Sequence, residues 1–143
     1  MSNSNQTIVA RYANQQVSVD HFSHPIWQEC QPIQIKHYWS GEPASPSRHA
    51  EARICWSTKA LHVRFVCIQQ GPLNVSANPR TDTKTLGLWD RDVCEIFLAP
   101  DLANPSRYFE FEAAPTGEWV DLGITLTPSG RETDWDFASG LTT

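Results

Sequence analysis

The stretch "LWDRDVCEIFLAPD", Leu88–Asp101, decides how this chain reads. Cys94, Ile96 and Leu98 alternate with Val93, Glu95 and Phe97, the period-two pattern of a β-strand with two unlike faces. A strand that only filled a core would not need Trp89, Asp90, Asp92 and Glu95 so close together. Further on, "YFEFEA" (Tyr108–Ala113) alternates in the same way, with Phe109 and Phe111 on one side. If the two strands pair as a hairpin, burying the apolar sets together sets the parity of the register. Cys94, Ile96, Leu98, Phe109 and Phe111 are then expected to face the core, and Glu95, Tyr108, Glu110 and Glu112 to share the opposite face with Phe97. Carboxylates on adjacent strands repel one another, so that second face is expected to meet open solvent or a ligand, such as a polyol or a cation. Carboxylates accept hydrogen bonds from sugar hydroxyls, and an indole such as Trp89 offers a flat apolar face to the C–H side of a pyranose.

Outward from this pair the chain keeps to short alternating runs divided by Pro, Gly, Asn and Ser clusters. "EARICW" (Glu51–Trp56) and "LHVRFVCI" (Leu61–Ile68) flank the polar turn "STKA" and read as an antiparallel hairpin. "PIQIKHYW" (Pro32–Trp39) reads as one strand, broken by "SGEPASPSRH". The polar, turn-rich segment Gln69–Gly87 is a long loop that delivers the chain into Trp89. "GEWVDLGITLTPSG" (Gly117–Gly130) reads as one more strand or two short ones, and "RETDWDFASGLTT" (Arg131–Thr143) as loop. The expected fold is an all-β antiparallel sandwich of immunoglobulin-like or jelly-roll-like type. It forms one domain over residues 1–143, with residues 1–20 flexible and the closing C-terminal strands missing.

Composition narrows the function classes. With 143 residues the chain can bury a real core. A net charge of −5 and the lack of a basic run argue against a nucleic-acid partner. No stretch is long and apolar enough to cross a bilayer, and the polar N-terminus lacks the basic start and apolar core of a signal peptide. The sequence as it stands therefore reads as cytoplasmic. Cys30, Cys55, Cys67 and Cys94 are widely spaced and form no CxxC pair, so they read as reduced, mostly buried thiols. His21, His24, His37, His49 and His62 are scattered without metal-ligand spacing. Trp27, Trp39 and Trp56 are expected to pack the core or seal its ends.

Three segments together, "ARICWSTKALHVRF", "LWDRDVCEIFLAPD" and "RYFEFEAAPTGEWVD", resemble the family 9 carbohydrate-binding modules and their relatives. The shared pattern is W-x-x-D-x-x-E-I-F followed by Y-x-E-F-E-x-x-P-x-G, and the resemblance runs from about Trp27 to the end. It implies a non-catalytic module that holds a mono- or oligosaccharide, without a cofactor. Trp89 would stack on the sugar and Glu95 would hydrogen-bond its hydroxyls, with Tyr108 and Glu110 on the same face. The resemblance also implies a second tryptophan wall from the C-terminal part, for which Trp119 and Trp135 are the candidates. Some members bind calcium, and Asp82, Asp90, Asp92 and Asp101 are loop acids of a suitable type. Relatives are often extracellular.

Other classes compete. A glycosidase would use Glu95 with Glu110 or Glu112, held about 5–10 Å apart. A haem carrier of the related kind needs an axial methionine, and the only methionine is Met1. A structural or interaction domain would keep the scaffold and lose the sugar. One geometric condition bears on the carbohydrate reading. Six residues of straight strand would separate Trp89 from Glu95 by about 20 Å. A bend within Asp90–Val93 is therefore expected.

Overall fold

The computed structural model describes residues 7–143. These fall into two compact units, one ending at Pro72 and the other beginning at Leu73, each built on its own four-stranded sheet. The all-β, mainly antiparallel expectation holds, and the α-helical part is the four-residue α1 (Ile26–Glu29). Part of the stretch expected to be flexible, residues 1–6, lies outside the described residues. Within the rest, β1 (Arg11–Tyr12) is hydrogen-bonded into a sheet, and Ala13 and Val17 are buried.

The first unit is organised by β3 (Ala50–Trp56), which pairs antiparallel with β4 (Leu61–Cys67) in register from Ala50↔Cys67 to Trp56↔Leu61. Ser57 closes the turn. Its hydroxyl accepts from the Lys59 and Ala60 amides at 3.3 and 3.2 Å, which replaces ladder bonds the turn cannot make. Along the other edge of β3 lie β2 (Ile33–Ile35), antiparallel, and β1, parallel. β2 is shorter than the run Pro32–Trp39 because the chain turns at Tyr38–Gly41, leaving His37 a single bridge to Pro43. Ala13, Val17, Ile26, Trp27, Cys30 and Cys55 form the core of this unit. Burial pushes the Cys55 thiol up to about 11 and raises Cys30 as well, so both are inert hydrophobes at neutral pH. Trp27 packs as expected. Trp39 does not, being 101 % exposed at the tip of its turn, and Trp56 stays half-exposed against Tyr12.

In the second unit β5 (Cys94–Leu98), β6 (Arg107–Ala113), β7 (Trp119–Thr127) and β8 (Gly130–Asp134) follow one another as a meander. β8 departs from the expected loop. Thr127 and Gly130 pair across the two-residue connection Pro128–Ser129, and the Thr127 hydroxyl donates to the Gly130 carbonyl at 3.0 Å. Gly130 supplies the positive φ, +135°, that this turn requires. The strand was hidden because "GRETD" is a charged edge strand with no apolar alternation, as edges exposed to water commonly are.

The β5–β6 pairing has the expected parity: Cys94↔Ala113, Ile96↔Phe111 and Leu98↔Phe109 oppose one another. The assignment of faces is corrected. Across β6 and β7, Glu112 pairs with Val120 and Glu110 with Leu122, so the carboxylates share their side with the alternating apolar residues of β7. Val120, Leu122 and Ile124 are 0–1 % exposed and cluster with Leu88 and Ala114. The face expected to be solvated is therefore the one carrying this unit's buried core. Glu110 and Glu112 are buried within it at 7 and 1 % exposure. The aromatic side is covered more lightly, by Phe137, which stacks on Phe109 with ring centroids 4.7 Å apart. Leu122→Ala should destabilise the protein by about 2–5 kcal/mol, read as a lower urea midpoint with an unchanged slope.

Candidate functional site

The Trp89 region begins with a loop that must reverse into a strand. Gly87 adopts φ +79°, and Leu88–Asp90 then forms a single 3-10 turn. Leu88 drops into the core at 0 % exposure, which leaves Trp89 outside at 44 %. The bend expected within Asp90–Val93 thus takes the form of a turn ending at Asp90, and Trp89 is not part of the strand that carries Glu95. Asn74 holds the exit of the turn. It donates its amide to Asp92 Oδ2 at 2.9 Å and its side-chain nitrogen to the Asp90 carbonyl at 3.1 Å. Arg91 pairs with the buried Glu118 at 3.5 Å. Much of the charge in "DRD" is therefore structural.

Trp135 stands against Trp89. Its position follows from a buried ion pair on β7. Lys84 Nζ lies 2.9 Å from Asp121 Oδ1 and donates to the carbonyls of Asp121, Trp135 and Phe137. The other Asp121 oxygen accepts from the amide and hydroxyl of Ser139, both at 2.7 Å. Burial alone would raise the Asp121 carboxyl, but the Lys84 and Ser139 hydrogen bonds and the Lys84 charge outweigh it and hold the group below its usual range. Residues 135–139 are pinned in this way, and the Trp89 and Trp135 rings stand 6.5 Å apart, tilted by 41°. Trp89, Trp135, Glu110, Arg131 and Thr133 line an open concavity of about 370 Å³.

Beneath the indoles lies an acidic group. Arg131 Nη2 donates to Glu110 Oε2 at 2.8 Å. Glu112 is buried, and neither of its carboxylate oxygens has a hydrogen-bond partner of good geometry among the described residues. Burial pushes its carboxyl up to about 7, reinforced by the charges of Glu95 and Glu110 and by close approach to the Glu110 carboxyl, with Arg131 opposing. Glu95 is raised too, by desolvation and then by the Glu110 charge, although it remains partly open to water.

The expected site residues thus divide. Trp89 and Glu110 line the concavity. Glu95 adjoins it through its partner Glu112. Tyr108 is half-buried against the core, its ring 6.0 Å from Phe97. Trp119, expected as a candidate second wall, lies elsewhere on the sheet. It pairs with Ala113 on the opposite face of the sheet from Glu110, and Trp135 stands against Trp89 instead. Arg131 and Thr133 were missed, because their strand carries no apolar period. A larger concavity of about 510 Å³ in the first unit includes Arg11, Glu29 and Cys30. It lacks an aromatic wall, and Arg11 is engaged with the Glu29 carbonyl, so it offers less chemistry. Among the described residues no group of three or more His, Cys, Asp or Glu is placed to hold a metal ion. Of the loop acids, Asp82 pairs with Arg80, Asp92 accepts from Asn74, and Asp101 accepts from the Ala103 amide. No helix is long and apolar enough to cross a membrane, among the described residues.

Compared with known proteins, residues 19–116 match a family model described as carbohydrate family 9 binding domain-like. No curated protein and no solved structure matches the chain. The matched span holds Trp89, Glu95 and the carboxylates of β6 but stops before Arg131, Thr133 and Trp135.

Two outcomes follow from this electrostatic arrangement. Lys84→Met leaves Asp121 buried without its cation and should cost about 3–5 kcal/mol. Chymotrypsin should then cut near Trp135 and Phe137 faster than in the wild type. Glu112 holds its proton more tightly folded than unfolded, since its carboxyl moves from 4.5 to about 7. The stability it contributes is complete below about pH 4.5 and lost as pH rises through about 7, roughly 3 kcal/mol in all. Glu112→Gln should abolish that loss in urea titrations across pH 5–8. Asp121, shifted the other way, acts only at lower pH.

Proposed function

The chain belongs to the carbohydrate family 9 binding domain-like family, and from that premise we propose that it is a non-catalytic module holding a sugar in the concavity between Trp89 and Trp135. The observation that carries this reading is the pair of half-exposed indoles, 44 and 48 % exposed, that line one concavity with Arg131, Thr133 and the buried Glu110. Such a combination gives a pyranose an apolar surface for its C–H face and fixed partners for its hydroxyls. Glu110 accepts hydroxyl hydrogens, Arg131 donates to ring and hydroxyl oxygens, and their 2.8 Å ion pair keeps both oriented. Thr133 adds a hydroxyl at the edge. Glu95 takes the outer position, reachable by a second sugar unit.

The indoles stand closer than a stacked sugar needs. Contacts of 3.5–4.0 Å on each face require a gap of about 7–8 Å, so the pair opens by about an ångström on binding. A hydrolase reading gains less support. Of its candidate carboxylates, Glu112 is 1 % exposed and Glu110 is committed to Arg131, which leaves no reachable acid–nucleophile pair.

The test is a titration with mono- and disaccharides followed by tryptophan fluorescence, together with a glycan array. Trp89→Ala and Trp135→Ala should each weaken binding about tenfold or more, while Trp39→Ala, at an exposed turn of the first unit, should leave it unchanged. If the correctly folded wild type responds to none of the sugars, the interaction-domain alternative takes its place.

A further inference from the structure

We infer that the concavity of the second unit selects ligands carrying an ammonium group over neutral or acidic ones. The inference takes its location from the carbohydrate reading and adds a charge requirement to it.

The first argument is the sum of charges. Glu95, Glu110 and Glu112 all lie on one face of β5 and β6, since Glu95 pairs with Glu112 and Glu110 follows two residues before it on the same strand. On that face β7 presents Val120, Leu122 and Ile124 and no charge. β8 contributes Arg131, which pairs with Glu110 at 2.8 Å and opposes the rise of Glu112 only in part. Lys84 is not available, because it is bound to Asp121 on the opposite face of the sheet. Once ionised, the group holds one cation, Arg131, against three carboxylates, and among the described residues no other ion pair reaches Glu95, Glu110 or Glu112.

The second argument is that the shortage is felt by a specific side chain. Glu112 is 1 % exposed and, among the described residues, neither of its oxygens has a hydrogen-bond donor of good geometry; it lies on the same side of β6 as the Glu110 that lines the concavity. A buried carboxylate without a partner is costly. It takes up a proton instead, at about pH 7, because burial and the neighbouring carboxylates disfavour its charge. A cation arriving in the concavity would do what the proton does.

The third argument is the aromatic geometry. Two indoles tilted by 41° with centroids 6.5 Å apart form a V. An ammonium at the mouth of the V can sit within about 6 Å of both rings, the range in which the ring quadrupole attracts a cation. A neutral sugar stacked on both faces must first open the pair by about an ångström, whereas an ammonium at its mouth need not. Indole faces and unbalanced carboxylates thus favour one ligand chemistry, an ammonium, which either an amino sugar or a free methylated amine supplies.

The experiment titrates the full chain with glucosamine, choline, glucose and glucuronate at pH 7 by calorimetry. Glucosamine or choline should bind about tenfold more tightly than glucose, and glucuronate most weakly. Preference for glucosamine identifies an amino sugar as the source, and preference for choline a methylated amine. Choline keeps its charge at every pH, so its affinity should rise between about pH 6 and 8 as Glu112 ionises, with proton release on binding. Glu112→Gln should remove the pH dependence. Glu95→Gln, at a solvent-exposed position, should reduce the ammonium preference even if the buried variant fails to fold. Equal affinity for glucose and both ammonium probes overturns the inference and leaves the carbohydrate reading intact. Choline binding with no response to any sugar overturns the carbohydrate reading alone, and binding of none of the four overturns both.

Discussion

Asp121 stays charged inside the second unit because Lys84 and Ser139 are beside it, and much of that unit follows from its pairing with Lys84. A buried carboxylate without a counter-charge would be neutralised or would unfold its surroundings. Here the Lys84 ammonium is 2.9 Å from Asp121 Oδ1 and directs its N–H donors at the carbonyls of residues 121, 135 and 137. The pair therefore ties a loop residue, the middle of β7 and the C-terminal segment to one point. Ser139 completes the arrangement from the far side of the carboxylate. Trp135 stands against Trp89 because its own carbonyl is held there.

The opposite face of the same sheet handles its acids differently. Glu110 has Arg131, Glu118 has Arg91 and the Thr116 hydroxyl, and Glu112 has no ion pair and no hydrogen-bond donor of good geometry among the described residues. Neighbouring carboxylates on β5 and β6 meet protonation as the cheapest way to relieve their repulsion. That makes the acidic group responsive near neutral pH, where an isolated surface glutamate would not be. Stability and ligand preference are thereby linked through one side chain, since whatever supplies positive charge to the concavity also relieves Glu112.

Legibility varied with the kind of signal. The hairpin Ala50–Cys67 and the pairing of Cys94–Leu98 with Arg107–Ala113 were plain, because alternation and a short polar turn are local properties of the chain. The family match over residues 19–116 rests on the same local patterns. β8 was not legible, since an edge strand of charged residues has no apolar period to detect. Nor did alternation within β5 and β6 say which face is buried. Both faces there carry large side chains, and the deciding information sits in β7, where Val120, Leu122 and Ile124 line up with the glutamates through the register. Trp119 and Trp135 looked equivalent as a second wall until the pairing of Trp119 with Ala113 put it on the other side of the sheet.

By itself the sequence determined the all-β class, the principal hairpins, the family and the tryptophan–carboxylate character of the Trp89 strand. These depend on periodicity and turn chemistry within a few residues, which any folded form of the chain must respect. Only the tertiary structure decided that Glu112 is buried without a partner, that Arg131 joins Glu110, and that Trp135 faces Trp89. Each of those depends on residues about 20 to 50 positions apart being brought together by strand register and by the buried Lys84–Asp121 pair. Long-range register is set by the packing of whole strands, and no local window of sequence contains it.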